Sequence, residues 1–199
     1  MKESIKNVVF DVGMVLIDFC WEKHCRNLGF DDEVIAAFDV NMIRSGYWDM
    51  LDAGSITTQD AIDKFMEAMP QYKKELELFW ASQEEFVEEY VYSAPLVQEL
   101  KEKGYRVYLL SNYPLDMYKL HWPSFKFYKI VDGYVVSAPE KIKKPDPAIY
   151  RLLCERFGLK AEECMFIDDR LENVDAAIKV GMNAVQFRGY EELRNILFE

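Results

Sequence analysis

Two rhythms of apolar and polar positions divide the chain. Near its start, Val8-Val9-Phe10 and Val15-Leu16-Ile17 are unbroken apolar, strand-favouring runs, interrupted by Asp11 and Gly13. Desolvating an unpaired carboxylate is expensive. The strand is therefore expected to end at Asp11, with Gly13 letting the chain turn away in a conformation other residues resist. From Asp18 to Tyr92 strand-like runs vanish. Apolar residues recur instead at helical spacing, as in Val34, Phe38 and Met42, then Ile62, Phe65, Met66 and Met69, then Phe79, Phe86, Val87 and Tyr90. This stretch predicts several amphipathic helices forming a small bundle. Within it, the aromatic, turn-rich segment Ser45–Gly54 reads as a connection with exposed rings at Tyr47 and Trp48. Their ordinary role is to pack the bundle, and their alternative role is substrate contact.

The strand–helix rhythm resumes at Ser93. Ser93 and Pro95 suit a helix start, Leu96, Val97 and Leu100 form its apolar stripe, and Gly104 closes it. A strand over Tyr105–Leu110 then stops at Ser111-Asn112-Tyr113-Pro114, and another is expected over Tyr134–Ser137. Asp146 is a good N-cap with Pro147 in the first turn, opening a helix through Ile149, Leu152, Leu153 and Phe157 that ends at Gly158. The run Glu163–Ile167 forms a short strand ending in Asp168-Asp169. A helix over Asp175–Val180, a strand over Ala184–Phe187 and a helix over Glu191–Leu197 complete the chain. Such alternation predicts an α/β fold, a doubly wound parallel-sheet (Rossmann-like) core from residues 1–17 and 93–199. Residues 18–92 form an inserted helical-bundle cap.

Half of the 199 residues are hydrophobic, with 13 Phe and 12 Tyr, so a sizeable packed core is expected. The formal net charge of -11 argues against nucleic-acid backbones and anionic membranes as partners. An acidic protein that handles an anionic substrate must gather positive charge locally, which singles out Lys141, Lys143 and Lys144. Of these, Lys144 precedes Pro145 and a capped helix, so it is positioned rather than floppy. No window approaches the roughly 20 apolar residues of a membrane span. The polar opening Met1–Lys6 is unlike a secretory leader. Cys20, Cys25, Cys154 and Cys164 form no C-x-x-C pair; His24 lies between the first two, but no second pair completes a metal site. Free thiols in a reducing cytoplasm are expected.

Four segments, each after an apolar strand or before a capped helix, carry polar chemistry: Asp11-Val12-Gly13, Ser111-Asn112, Lys144-Pro145-Asp146, and Asp168-Asp169 with Asn173. Open α/β sheets bind ligands at the carboxyl ends of their strands. Adjacent acids there repel one another unless a cation intervenes, and a hard divalent ion, Mg2+ above all, suits oxygen ligands. In order and spacing, the set resembles the four motifs of the haloacid dehalogenase-like hydrolase superfamily. The Asp-x-Gly-x-Val reading is similar to its sugar-phosphatase-like subgroup.

The resemblance implies a magnesium-dependent phosphatase acting on a small phosphorylated metabolite. Asp11 would be the nucleophile, forming a covalent aspartyl phosphate. Mg2+ would be held by the Asp11 carboxylate, the Gly13 carbonyl and Asp169, with Asp168 assisting directly or through water. Ser111 and Asn112 would bind phosphoryl oxygens, Lys144 would neutralise the same phosphate, and Asn173 would orient the acidic loop. One departure stands out. Most such phosphatases carry a second Asp two positions after the nucleophile, where this chain has Gly13, and glycine at the next position, where it has Met14. General acid–base help is worth roughly 10²–10⁴-fold. A good leaving group would tolerate its loss, and a cap residue or water could replace it. Gly13 therefore keeps two other classes in view, a metal-independent 2-haloacid dehalogenase and a binding or regulatory protein that retains the fold. Trp21, Tyr47, Trp48 and Tyr113 are the candidates for contacts that set specificity.

Overall fold

The computed structural model describes residues 3–198; Met1, Lys2 and Glu199, assigned above to the core, lie outside the described residues. Seven strands are described: β1 (Asn7–Phe10), β2 (Ile17–Phe19), β3 (Val87–Glu89), β4 (Arg106–Ser111), β5 (Gly133–Val136), β6 (Cys164–Asp168) and β7 (Asn183–Gln186). Five of them form one sheet in the order β5-β4-β1-β6-β7. All its neighbours run parallel, and Val8 of β1 lies in register with Val107 on one side and Met165 on the other.

The side chains of β1 alternate between two apolar clusters. Val8 and Phe10 join Leu96, Val97 and Leu100 of α6 (Ser93–Glu102) and Leu193 and Leu197 of the last helix, whereas Val9 joins Ile149, Tyr150 and Leu153. Because both faces are covered, an unbroken apolar run is what this strand requires. The fold is thus the doubly wound α/β arrangement the sequence predicts.

Between β2 and β3 the chain forms α1 (Trp21–Asn27), α2 (Asp32–Phe38), α3 (Gly46–Asp52), α4 (Thr58–Ala68) and α5 (Lys73–Ala81). β2 and β3 pair antiparallel, Ile17 opposite Glu89 and Phe19 opposite Val87, where the chain leaves the sheet and returns. The return is tied down by Ser93 Oγ and Tyr92 OH, which donate to the carbonyls of Leu16 and Val15, both at 2.6 Å. Inside the bundle Phe79 stacks on Phe86 at 4.3 Å between centroids, and Phe65 lies parallel to Trp80 at 6.1 Å. Buried His24 faces Phe79 and Phe86 and meets Ser82 Oγ at 3.1 Å, so it belongs to this packing.

The core continues with α6, α7 (Leu115–His121), α8 (Ser137–Glu140), α9 (Pro147–Phe157), α10 (Leu171–Lys179) and α11 (Tyr190–Phe198). Several local signals act as expected: Asp146 accepts the Ala148 amide at 2.8 Å with Pro147 behind it, and Gly158 closes α9 at φ 63°. Four readings need correction. Val87, counted among the helical positions of the insertion, lies in β3, where pairing with Phe19 of β2 overrides the spacing. Within Ser45–Gly54 the chain is helical over Gly46–Asp52, because Ser45 stands extended before it and no breaker follows Gly46 until Gly54. Ser137 leaves the β5 ladder and starts α8, its hydroxyl accepting the Tyr113 amide at 3.0 Å. α10 begins at Leu171, ahead of the expected Asp175, since polar Glu172 and Asn173 occupy its first turn without breaking it.

The insertion docks on the core through α3. Gly54, at φ +63°, lies so close to α8 that a Cβ there would fall 2.2 Å from the Ala138 carbonyl oxygen. Ser137 Oγ donates to the Asp52 carbonyl, Lys141 Nζ to the Gly54 carbonyl at 2.7 Å, and Lys143 Nζ to Asp49 Oδ1 at 2.6 Å. Two of the three clustered lysines thus hold the insertion. Among the described residues no helix is long and apolar enough to cross a membrane.

Candidate active site

The carboxyl ends of β1, β4 and β6 converge on one point. Asp11 follows β1 directly, its amide donating to the Ile167 carbonyl at 2.8 Å and its Oδ1 accepting from the Val12 amide at 2.7 Å. Lys144 Nζ lies 2.8 Å from Asp11 Oδ1 and 2.6 Å from Asp168 Oδ2, with only 2% of the residue exposed. Its backbone is clamped by the Asn112 side chain, which accepts from the Lys144 amide at 2.8 Å and donates to its carbonyl at 2.9 Å. Its ammonium also lies 5.4 Å from the centre of the Phe166 ring.

The two adjacent acids have different surroundings. Both Asp168 oxygens are engaged: Asn173 Nδ2 donates to them at 2.9 and 3.0 Å, the Arg170 amide to Oδ1 at 2.9 Å, and Lys144 to Oδ2. Asp169 lines the cavity, and no other side chain holds its carboxylate in a hydrogen bond or ion pair among the described residues.

Three carboxylates surround one ammonium. Burial pushes Asp11 up to about 7; Lys144 opposes the rise, and Asp168 and Asp169 add to it. Asp169 is likewise raised, first by burial and then by Asp168. Burial alone would lower Lys144, but the Asp11 and Asp168 carboxylates override it and hold the ammonium above its ordinary value. The excess negative charge fits a cation. One oxygen from each of Asp11, Asp168 and Asp169 lies within 4.8 Å of the others, an all-oxygen donor set of the kind Mg2+ takes.

A cavity of about 350 Å³ opens over this point. Asp11, Gly13, Asn112, Lys144, Asp169 and Asn173 line it, while Ser111 is buried behind it, its hydroxyl directed to the Asn112 carbonyl at 3.4 Å. Gly13 leaves space, since a Cβ built there meets nothing within 4 Å. Met14 adopts the left-handed region, φ 58°, that glycine tolerates best. Apolar side chains contribute to the same lining, among them Ile17, Phe19, Ile43, Trp48, Val87 and Met117. Of the four aromatic candidates, Trp48 and Tyr113 line the cavity; Trp21 and Tyr47 do not.

The family model of haloacid dehalogenase-like hydrolases matches residues 5–181. The chain belongs to that family. A sesquiterpene phosphatase of Aspergillus oryzae is 29% identical over 183 residues, spanning 92% of this chain and 89% of that one. An (S)-2-haloacid dehalogenase of Burkholderia cepacia is 32% identical over 94 residues, 47% of this chain and 41% of that one. Among solved structures, a family enzyme from Bacteroides thetaiotaomicron, in complex with magnesium and inorganic phosphate, superposes with a TM-score of 0.73. Its identity is 27%, over 98% of this chain and 100% of that one.

For a haloacid dehalogenase-like hydrolase, the cavity holds residues that the motifs do not announce: Asp49 and Asp52 from α3, His121 from α7 and Arg170. The His121 ring is fixed on both sides. The Gln83 carbonyl can only accept, at 2.7 Å, so Nε2 carries the proton and Nδ1 accepts from the Tyr113 hydroxyl at 2.8 Å. Burial lowers its pKa, which favours this neutral form. His121 thus fastens α7 to the insertion. A helix reading of Ser45–Gly54 would have placed Asp49 and Asp52 one turn apart, though not aimed at the sheet.

Proposed function

We propose that this hydrolase is a Mg2+-dependent phosphatase that cleaves a small phosphorylated metabolite through an aspartyl phosphate on Asp11. The observation that carries the reading is the Asp11, Asp168 and Asp169 cluster at the strand ends, with Lys144 between two of its members. The phosphatase relative and the magnesium- and phosphate-bound family structure support it. Asp11, the Gly13 carbonyl and Asp169 would hold the ion, with Asp168 behind them. When bound, Mg2+ supplies positive charge that reduces repulsion between the substrate's phosphate and the nucleophilic carboxylate.

The chain's own residues do the rest. Asp11 attacks phosphorus, the ester oxygen departs with the bonding electrons, and water then cleaves the acyl phosphate to release inorganic phosphate. Lys144 stabilises charge on the phosphoryl oxygens and fixes the nucleophile. Asn112 positions Lys144 through its backbone and presents polar atoms to the phosphate, with Ser111 supporting this loop. Asn173 and the Arg170 amide hold Asp168 still, which keeps Lys144 aimed. Residues 18–92 act as a cap over the core of 1–17 and 93–199, and the four free thiols suit a reducing cytoplasm. The apolar share of the lining, Ile17, Phe19, Ile43, Trp48, Val87 and Met117, favours a leaving group with an apolar face over a bare polyol, so the sugar-phosphate expectation narrows.

The test is phosphate release from a panel spanning prenyl, aryl and sugar phosphates, with and without Mg2+. Turnover that needs the metal and disappears in Asp11→Asn is expected. No release from any member, with Mg2+ binding shown by calorimetry, would overturn the reading. Gly13 and the dehalogenase relative favour a second one, hydrolysis of a carbon–halogen bond. Against it, carboxylates beside a departing halide oppose its developing charge. Halide release from 2-haloacids that survives chelation would put that reading first.

A further inference from the structure

We infer that Asp52, carried by the insertion's α3, is the acid–base residue that position 13 lacks: it protonates the departing ester oxygen and then takes a proton from the attacking water. The inference rests on the phosphatase reading above. Position 13 offers no side chain, and the space a Cβ would enter there is open. Across the same cavity stands Asp52. Among the described residues its carboxylate takes no hydrogen bond and no ion pair, whereas its neighbour Asp49 is committed to Lys143 at 2.6 Å. A partly buried carboxylate left free over a reaction centre is unusual unless its partner is a ligand.

Asp52 is also held in place. Its carbonyl accepts from Ser137 Oγ, and two residues on Gly54 packs against Ala138 with its own carbonyl taken by Lys141 at 2.7 Å. The carboxylate therefore has a fixed position relative to the strand ends although it arrives from a different part of the chain. Its electrostatic setting suits proton transfer. Burial raises it to about 7, Lys143 lowers it, Asp49 raises it, and Lys144 and Arg170 lower it. Tyr113 also faces it, and burial together with the Asp52 charge keeps that phenol protonated. Asp11, Asp169, Arg44 and His121 also line the space that Asp52 faces. A group that titrates near neutrality is present in both forms at working pH, as a donor that later becomes an acceptor must be.

The proton and electron balance closes. In the first step the bond from phosphorus to the ester oxygen breaks as Asp11 oxygen bonds to phosphorus, and the Asp52 proton passes to the leaving oxygen, giving a neutral alcohol. In the second, water oxygen bonds to phosphorus, its proton passes to the Asp52 carboxylate, and the bond between phosphorus and Asp11 breaks. Phosphate leaves, and both acids return to their starting forms.

A mere structural role for Asp52 would reduce turnover of every ester alike, whereas an acid matters most when the leaving oxygen is basic. Wild type and Asp52→Asn are compared with Mg2+ on alkyl phosphates and on p-nitrophenyl phosphate, with circular dichroism and Mg2+ calorimetry confirming an intact site. Loss of roughly 10²-fold or more in kcat/KM is expected for alkyl esters and less than about tenfold for the nitrophenyl ester. Gly13→Asp added to Asp52→Asn is expected to recover much of the alkyl loss. Equal losses on both ester types, or none on alkyl esters, would overturn the role of Asp52 while leaving the phosphatase reading intact. Wild-type inactivity on all esters would instead overturn that reading.

Discussion

At the scale of single residues, Asp168 and Asp169 illustrate how adjacent identical side chains take different tasks. Asp168 is fully buried and satisfied by three donors, so it orders Lys144 and the start of α10. Asp169 lines the cavity, and no other side chain holds its carboxylate among the described residues. Substitution should separate them. Asp168→Asn puts an amide where Lys144 and Asn173 donate, leaving buried polar groups mismatched, and is expected to lose about 1–3 kcal/mol of stability. Asp169→Asn removes one of three crowded negative charges, so the metal-free protein should be no less stable. Its Mg2+ affinity should fall by about tenfold or more, the least expected when a ligand is lost rather than an outer partner. Thermal melting and calorimetry on both variants decide this. If Asp169→Asn melted early with Mg2+ affinity intact, the assignment of tasks would be reversed.

At the scale of elements, the contact between α3 and α8 sets the shape of the cavity. Gly54→Ala must move backbone, because both its positive φ and the 2.2 Å approach of a Cβ to the Ala138 carbonyl oppose any side chain. About 1–3 kcal/mol of destabilisation is expected, the range for forcing atoms into a filled space. Because Trp48, Asp49 and Asp52 ride on α3, kcat/KM should drop as well. Lys143→Ala is the control: its ion pair with Asp49 is largely solvated, worth under about 1 kcal/mol. Denaturant titration in which both variants lose equally little would show that α3 docks elsewhere. This contact also marks where sequence stops being legible. Asp11, Lys144 and Asp168-Asp169 could be found because apolar run, acid, N-cap and proline are neighbours in the chain. The helix α3 was hidden by its aromatic and glycine content, which resembles a turn when tertiary partners are unknown. Lys141 and Lys143 misled for a related reason, since successive residues of a bend point in different directions and only Lys144 enters the site. Asp52 could not be read at all, because no local pattern distinguishes an acid that meets the sheet from one that meets water.

At the scale of the whole molecule, the sheet gathers acids at one end, beside a cavity that residues of the insertion also line, so stability and the charge of these acids are linked. Asp11 and Asp52 are raised from 3.8 to about 7, and Asp169 is raised too. Between those limits the folded chain holds protons that the unfolded chain has released. Stability follows the difference in bound protons, unfolded minus folded, which is negative here, so it falls as pH rises through the window and levels off above about 7. Each pKa unit is worth about 1.4 kcal/mol per group. His121 works in the opposite direction, since its lowered pKa makes acidification unfavourable below 6.5, but it is one group against three. Asp60 and Glu163, held low by Thr57 and Lys6, act below this window. The metal-free protein is therefore expected to melt at a lower temperature at pH 8 than at pH 6. Mg2+ held as proposed would bind the ionised carboxylates, so its stabilisation should be larger at pH 8, about 2.7 kcal/mol at a hundredfold excess over Kd. Scanning calorimetry at both pH values, with chelator and with Mg2+, gives four midpoints. A metal-free midpoint that rose from pH 6 to pH 8, or one at pH 8 that ignored Mg2+, would mean that the charge crowded at the strand ends is balanced within the protein itself.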